Sequence, residues 1–430
     1  MDISDLKQRL LNSKLFKDSF WAICGNGIGY GLLLLAGIII ARFLGKDAYG
    51  EYGVVKSSMF YIATFATLGL GYTGTKFIAS AIQTNSKYTK SIVRDSMKIT
   101  IGFSGFIALL LLLFADNLAD FVDSPSLVNA FRALAGVIVF RAITTTQIGI
   151  LAGFKDFKNV ALNSLYSGLF MLAICVPLTY FWSLTGSLVA LMSSQIFNCL
   201  VNYITVRKNT KKLVDQEDKN NLKELISFSF PIALQESSFS ICHWSAIMLL
   251  TKYSSAGELG LYSAATQWNA IITMIPGLLS NVVLSYLSSS IHDKENHGAL
   301  IKRMLGINFV STFVPFLIIY VLANFISSFY GTTFSDMPLV LRIITLSTIF
   351  ECCSSVFKSE LLAMGKTWTL FSIRFIRDIL IVLSVYIVLT ATGGEYGAAY
   401  FSAIYVVGAA AFMFTLACVY RVISKKQNIK

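Results

Sequence analysis

The sequence predicts an all-α membrane protein with about 12 transmembrane helices in two parallel-related six-helix lobes. Three observations carry this. Apolar stretches of spanning length recur along nearly the whole chain, the loops between them alternate between basic and not basic, and a faint repeat returns at an offset of 210 residues. Of 430 residues, 55% are hydrophobic and 13% charged, about half the charged fraction of a soluble domain. A hydrocarbon core of ~30 Å needs about 20 apolar residues per helix.

In chain order, Leu6, Leu10, Leu11, Leu15 and Phe16 alternate with Lys and Arg over residues 3–17. This pattern suits either a short amphipathic helix on the inner membrane surface or a basic tail that sets topology. Spans follow near 20–42, 51–79, 97–115, 127–152, 159–180 and 186–206. A mixed-charge linker over 207–224 then precedes spans near 225–251, 259–290, 303–323, 337–364, 368–390 and 396–420. The expected organisation is a cytoplasmic N-terminus at 1–18, an N-lobe at 19–206, the linker, a C-lobe at 225–420 and a cytoplasmic tail at 421–430. The first apolar run is too long for a signal h-region, so a cleaved leader is not expected.

Charge sets the orientation. The loops placed inside hold 24 of the 35 basic residues, and those placed outside hold only Arg42, Lys46 and Lys252. Basic residues resist translocation and favour the anionic cytoplasmic leaflet, which puts both termini in the cytoplasm. The same distribution explains the net charge of +12 without nucleic acid.

Six spans per half is an even number, so the halves share orientation. Gly50-x-Tyr52 returns as Gly260-x-Tyr262, Ser19-Phe20 as Ser229-Phe230, and Arg132 and Phe140 as Arg342 and Phe350, all at 210. Leu151-Ala152-Gly153-Phe154-Lys155 is like Leu362-Ala363-Met364-Gly365-Lys366 at 211. Transporters with such repeats bind cargo at the repeat interface.

Several enzyme signatures fail on context. Gly69-x-Gly71-x-x-Gly74 spells a dinucleotide fingerprint but sits at the end of an apolar span, and Thr75 occupies the lysine position of a near P-loop. The seven cysteines all fall within spans, without metal-ligand spacing. No metal and no cofactor is expected.

Charges inside spans carry the functional reading, because each costs at least ~2.5 kcal/mol and faces a wet cavity or a partner. Lys56 and Arg141 are the expected cationic cavity residues. Asn26 is a candidate polar contact among Gly25, Gly27, Gly29 and Gly31, themselves expected to serve packing. Glu236, His243, Glu351 and Asp378 are candidates for ion coupling or gating, with packing as the plain alternative for His243. Arg132 and Arg342, near the interface, are expected to snorkel. Lys358, Glu360, Arg374, Arg377 and Asp378 form either an ion-pair cluster between spans 10 and 11 or part of a cavity wall. Bases outnumber acids, and a cationic cavity suits an anionic cargo, with Arg matching phosphate oxygens.

The stretch Ala41-Arg42-Phe43-Leu44-Gly45-Lys46-Asp47-Ala48-Tyr49-Gly50-Glu51-Tyr52-Gly53, with Leu68-Gly69-Leu70-Gly71 and Lys76-Phe77-Ile78-Ala79 after it, resembles the opening of bacterial polysaccharide flippases. These are O-antigen exporters of the multidrug/oligosaccharidyl-lipid/polysaccharide superfamily. Tyr330-Gly331 through Leu341-Arg342, then Leu362 to Lys366, is similar to the same family's span 10 region. The resemblance implies two lobes in a V, alternating access, and an inner-membrane protein that is not an enzyme. It also implies an undecaprenyl-pyrophosphate-linked glycan as cargo, with membrane lipids, a polysaccharide polymerase and a chain-length regulator as partners. Lys56, Arg141 and Arg374 would take the family's basic cavity role. Glu236, after Pro231, is similar to cation-binding acids of related drug exporters, so a cation-coupled small-molecule exporter of the same fold stays open. A membrane enzyme acting on polyprenyl-linked glycans would need clustered catalytic acids or histidines at one face, and the sequence offers none.

Overall fold

The computed structural model describes residues 14–83, 88–211, 213, 222–290 and 294–428. Most of the segment 3–17 and half of the linker fall outside them. The described chain forms twelve helices: α1 (Lys14–Ala66), α2 (Leu70–Gln83), α3 (Thr89–Phe121), α4 (Val128–Gly153), α5 (Phe157–Lys211), α6 (Leu222–Tyr253), α7 (Ala256–Ser290), α8 (Lys294–Val321), α9 (Ala323–Ser328), α10 (Met337–Ala363), α11 (Thr367–Ala391) and α12 (Gly397–Asn428). Two 3₁₀ turns precede α4 and α10, and no strand occurs among the described residues.

Seven of these helices are long and apolar enough to cross a membrane. Two of the seven are broken at a single residue, α1 at Gly45 (φ 72°, ψ 172°) and α5 at Ser183 (φ 48°, ψ −127°). Each then supplies two arms of at least the ~20-residue spanning length. The arms of α5 lie side by side: Asn163 donates from Nδ2 to Asn202 Oδ1 at 3.0 Å, and Phe170 stacks on Phe197. α6, α7 and α11 (32, 35 and 25 residues) also reach spanning length. The protein is a multi-pass, all-α membrane protein. Leu109, Leu112, Leu113 and Phe114 stand exposed on α3, as side chains facing lipid do.

The chain divides into two compact units. The first holds residues 1–36 and 54–244, the second residues 37–53 and 245–430. The middle of the long α1 thus belongs with the second unit, and most of α6 with the first. In the first unit α4 is the hub, packed by α2, α3 and α5. Ile150 and Leu151 of α4 meet Ile78, Ile92, Val93, Val206 and Leu225 in one apolar cluster. In the second unit α10 is the hub, packed by α7, α8 and α12.

The two hubs are copies. The chain leaves α4 through Lys155 at φ 58° and leaves α10 through Gly365 at φ 71°. Each exit has the same pair of closing bonds, Asp156 N to Leu151 O with Lys155 N to Ala152 O, and Lys366 N to Leu361 O with Gly365 N to Leu362 O. These caps align at 210, one residue off the 211 that the letters suggest, because the left-handed residue defines the exit. The second unit also contains a self-matched crossing. A side chain on Gly50 would run into the Ala256 carbonyl, and one on Gly260 into the Lys46 carbonyl. Residues 260 and 256 are the counterparts of 50 and 46, so one contact is made twice, as across a two-fold axis.

Candidate functional site

The first unit gathers polar groups on four helices. Arg141 sits half-buried mid-way along α4. Its Nη1 donates to Gln195 Oε1 of α5 at 3.3 Å, and its guanidinium carbon lies 5.9 Å from the Phe60 ring centroid. Gln195 supplies an acceptor without charge, and that bond orients the guanidinium. Lys56, also half-buried, precedes Phe60 by one turn of α1 and shares its face. Of the two expected cations of this unit, Arg141 lies at the Phe60 ring and Lys56 lies one turn before it on α1.

α6 closes the group. Trp244 Nε1 donates to Ser58 Oγ at 2.9 Å, which locks α6 against α1. His243 lies 4.7 Å from the Tyr61 ring and 5.6 Å from that of Phe239, so it sits among aromatic faces. Glu236 is half-buried two turns earlier on the same helix. Asn26 lies in α1, but its side chain is outside the described residues. Of the glycines beside it, Gly29 packs on Ser164 of α5.

In the second unit, Arg374, Arg377 and Asp378 share α11. Arg377 donates from Nε to Asp378 Oδ1 at 2.9 Å and adds a second bond from Nη2, while Arg374 Nε stands 4.0 Å from Oδ2. Two guanidiniums thus face one buried carboxylate. Arg377 also lies 4.5 Å from the Phe412 ring of α12. Glu351 of α10 is exposed, within electrostatic reach of Lys358 and Arg377. Glu360 leaves the cluster expected between spans 10 and 11. His297 of α8 engages it, Nε2 to Oε1 at 2.8 Å, and its other oxygen has no hydrogen-bond partner among the described residues.

Arg132 and Arg342 each hold the preceding long helix. Arg132 Nη2 donates to Asp116 at 3.0 and 3.1 Å, and Arg342 Nε donates to the Tyr320 carbonyl at 3.3 Å. The glycines of the dinucleotide-like spelling serve packing. Gly71 and Gly149 bring α2 and α4 backbone to backbone, and Thr75 Oγ1 donates to the Gly149 carbonyl at 2.8 Å. No group of residues suited to a metal occurs among the described residues.

Sequence reasoning missed Gln195, Phe60, Tyr61 and Phe239. The one available signal is spacing: Phe60 follows Lys56, and His243 follows Phe239, each by four residues on one helix face.

The profile of the family described as "Polysaccharide biosynthesis protein" matches residues 15–290. The chain belongs to this family. This polysaccharide biosynthesis protein is 21% identical to a Shigella flexneri protein named for O-antigen transport, over 82% of this chain and 86% of that one. It is 20% identical to the EPS I polysaccharide export inner membrane protein EpsE of Ralstonia nicotianae, over 84% and 83% of the two chains. Among solved structures, an inward-facing multidrug resistance MATE family transporter of the MOP superfamily superposes with a TM-score of 0.81 at 14% identity, covering 94% of this chain and 96% of that one. A MOP superfamily transporter from Pyrococcus furiosus gives 0.70 at 14% identity, covering 97% of each. These two likenesses carry the fold alone.

Proposed function

We propose that this protein is a flippase, not an enzyme. It moves an undecaprenyl-pyrophosphate-linked oligosaccharide from the cytoplasmic to the periplasmic leaflet of the bacterial inner membrane by alternating access. Both termini lie in the cytoplasm, and the exported units pass to a polysaccharide polymerase and its chain-length regulator. The observation that carries the reading is Arg141, set mid-membrane against neutral Gln195 and the Phe60 ring, with Lys56 one turn away on that ring's helix. Family membership and the export functions named in its relatives support a polysaccharide cargo.

The physics is that of an anion in a poor solvent. An unpaired ion entering a medium of low dielectric loses tens of kcal/mol of solvation. A guanidinium repays part of that with paired, charge-assisted bonds to phosphate oxygens. The polyprenyl chain gains about 0.8 kcal/mol per buried CH₂ and stays in lipid while the head crosses. Arg374, held near Asp378, offers the second unit's positive charge. Glu236 and Glu351 remain the acids for ion coupling.

Deletion should leave lipid-linked repeat units on the cytoplasmic side, and Arg141→Ala should abolish export at normal protein level, with Arg141→Lys restoring part of it. Full export by Arg141→Ala would remove Arg141 from the passage. A deletion strain with normal surface polysaccharide and raised drug susceptibility would favour the small-molecule exporter.

A further inference from the structure

We propose that the ring cluster formed by Phe60 and Tyr61 of α1 with Phe239 and His243 of α6 is the surface that recognises the sugar of the cargo, beside the diphosphate held by Arg141. This rests on the flippase reading and assigns its head-group subsite. The rings are contiguous: Phe60 to Tyr61 is 5.3 Å between centroids, Tyr61 to His243 is 4.7 Å, and Phe239 to His243 is 5.6 Å. The chain of rings begins at Phe60, the ring nearest the guanidinium. Phe60 is 48% exposed beside the guanidinium, so it presents surface where a cargo held by Arg141 would lie. The Trp244–Ser58 bond fixes α6 to α1 at this level and so sets the register of the two ring-bearing segments.

Chemistry selects the ligand. An aromatic face is the negative pole of a quadrupole. It attracts the polarised C–H groups on the flat side of a pyranose, a weak contact that gains from repetition over several rings. Tyr61 and His243 also bring polar atoms to the cluster. Aromatic cages also bind organic cations, but a fixed guanidinium 5.9 Å from the first ring repels them. A neutral glycan joined to an anionic diphosphate satisfies both halves of the site.

The test uses the full-length protein in lipid nanodiscs and two probes, undecaprenyl pyrophosphate bare and the same lipid carrying one N-acetylhexosamine. Phe60→Leu should weaken the glycosylated probe about tenfold and the bare probe less than about twofold. Phe60→Tyr restores a ring and should keep wild-type preference, while Arg141→Ala should weaken both probes alike. Equal losses on both probes in Phe60→Leu, or no loss on either, overturns the assignment of the rings to sugar. A wild-type protein that binds neither probe sinks the flippase reading itself, a distinct failure.

Discussion

Replacing Gly50 by alanine tests the packing of the second unit. A Cβ at that position overlaps the Ala256 carbonyl and lies 3.0 Å from the Ala256 Cα, where ordinary contact begins at 3.4 Å. Every atom in the way is backbone, so no side chain can rotate aside and the helices must part. Overpacking of this kind costs ~1–3 kcal/mol, with rigid surroundings at the upper end. Alanine returns up to about 1 kcal/mol of helix propensity, which leaves a net loss of about 2 kcal/mol. Gly102 of α3 is the control, since nothing lies within 4 Å of a Cβ there. Gly102→Ala should gain about 0.5–1 kcal/mol. The two variants, chemically identical, should therefore differ by about 3 kcal/mol. Thermal unfolding in one detergent, followed by loss of the monodisperse peak on size exclusion, separates them. If Gly50→Ala melts with or above Gly102→Ala, α1 and α7 do not meet backbone to backbone at this crossing.

Two buried pairs give further predictions. Thr73 Oγ1 and Ser229 Oγ, 2.7 Å apart and both buried, join α2 to α6. Thr73→Val alone should cost about 1–3 kcal/mol by stranding the serine hydroxyl. The double variant Thr73→Val/Ser229→Ala should recover most of that in the same melting assay. His297→Ala should cost about 3 kcal/mol, because Glu360 is fully buried and loses its ring donor. A double-mutant cycle with Glu360→Leu should show a coupling of at least about 1 kcal/mol, and additive losses would mean that the two side chains do not interact.

Helices were legible wherever apolar length alone decides. What length could not show is how sharply the chain reverses. Residues 43–50 and 181–185 lie between the expected spans and so read as loops. The structure turns at one residue in each case, Gly45 and Ser183, and keeps helix on both sides. Residues 51–79 read as one span, yet Leu68 and Gly69 take positive φ and split it into the end of α1 and α2. The repeat was legible through Gly50 and Gly260, whose spacing reflects the crossing where those glycines meet. Among site residues, Lys56 and Arg141 stood out because charge in lipid needs a reason. Gln195 is one of many polar residues in α5, and only folding brings it to Arg141. Glu360 was grouped with its sequence neighbours, but its partner His297 sits on another helix, 63 residues earlier.

The middle of α1 lodges with the second unit and most of α6 with the first. A gene cut at the linker would therefore yield two orphan polypeptides, each missing a piece of its own wall and carrying one that belongs elsewhere. Made together in one cell, each would have to lend its stray helix to the other before either became whole.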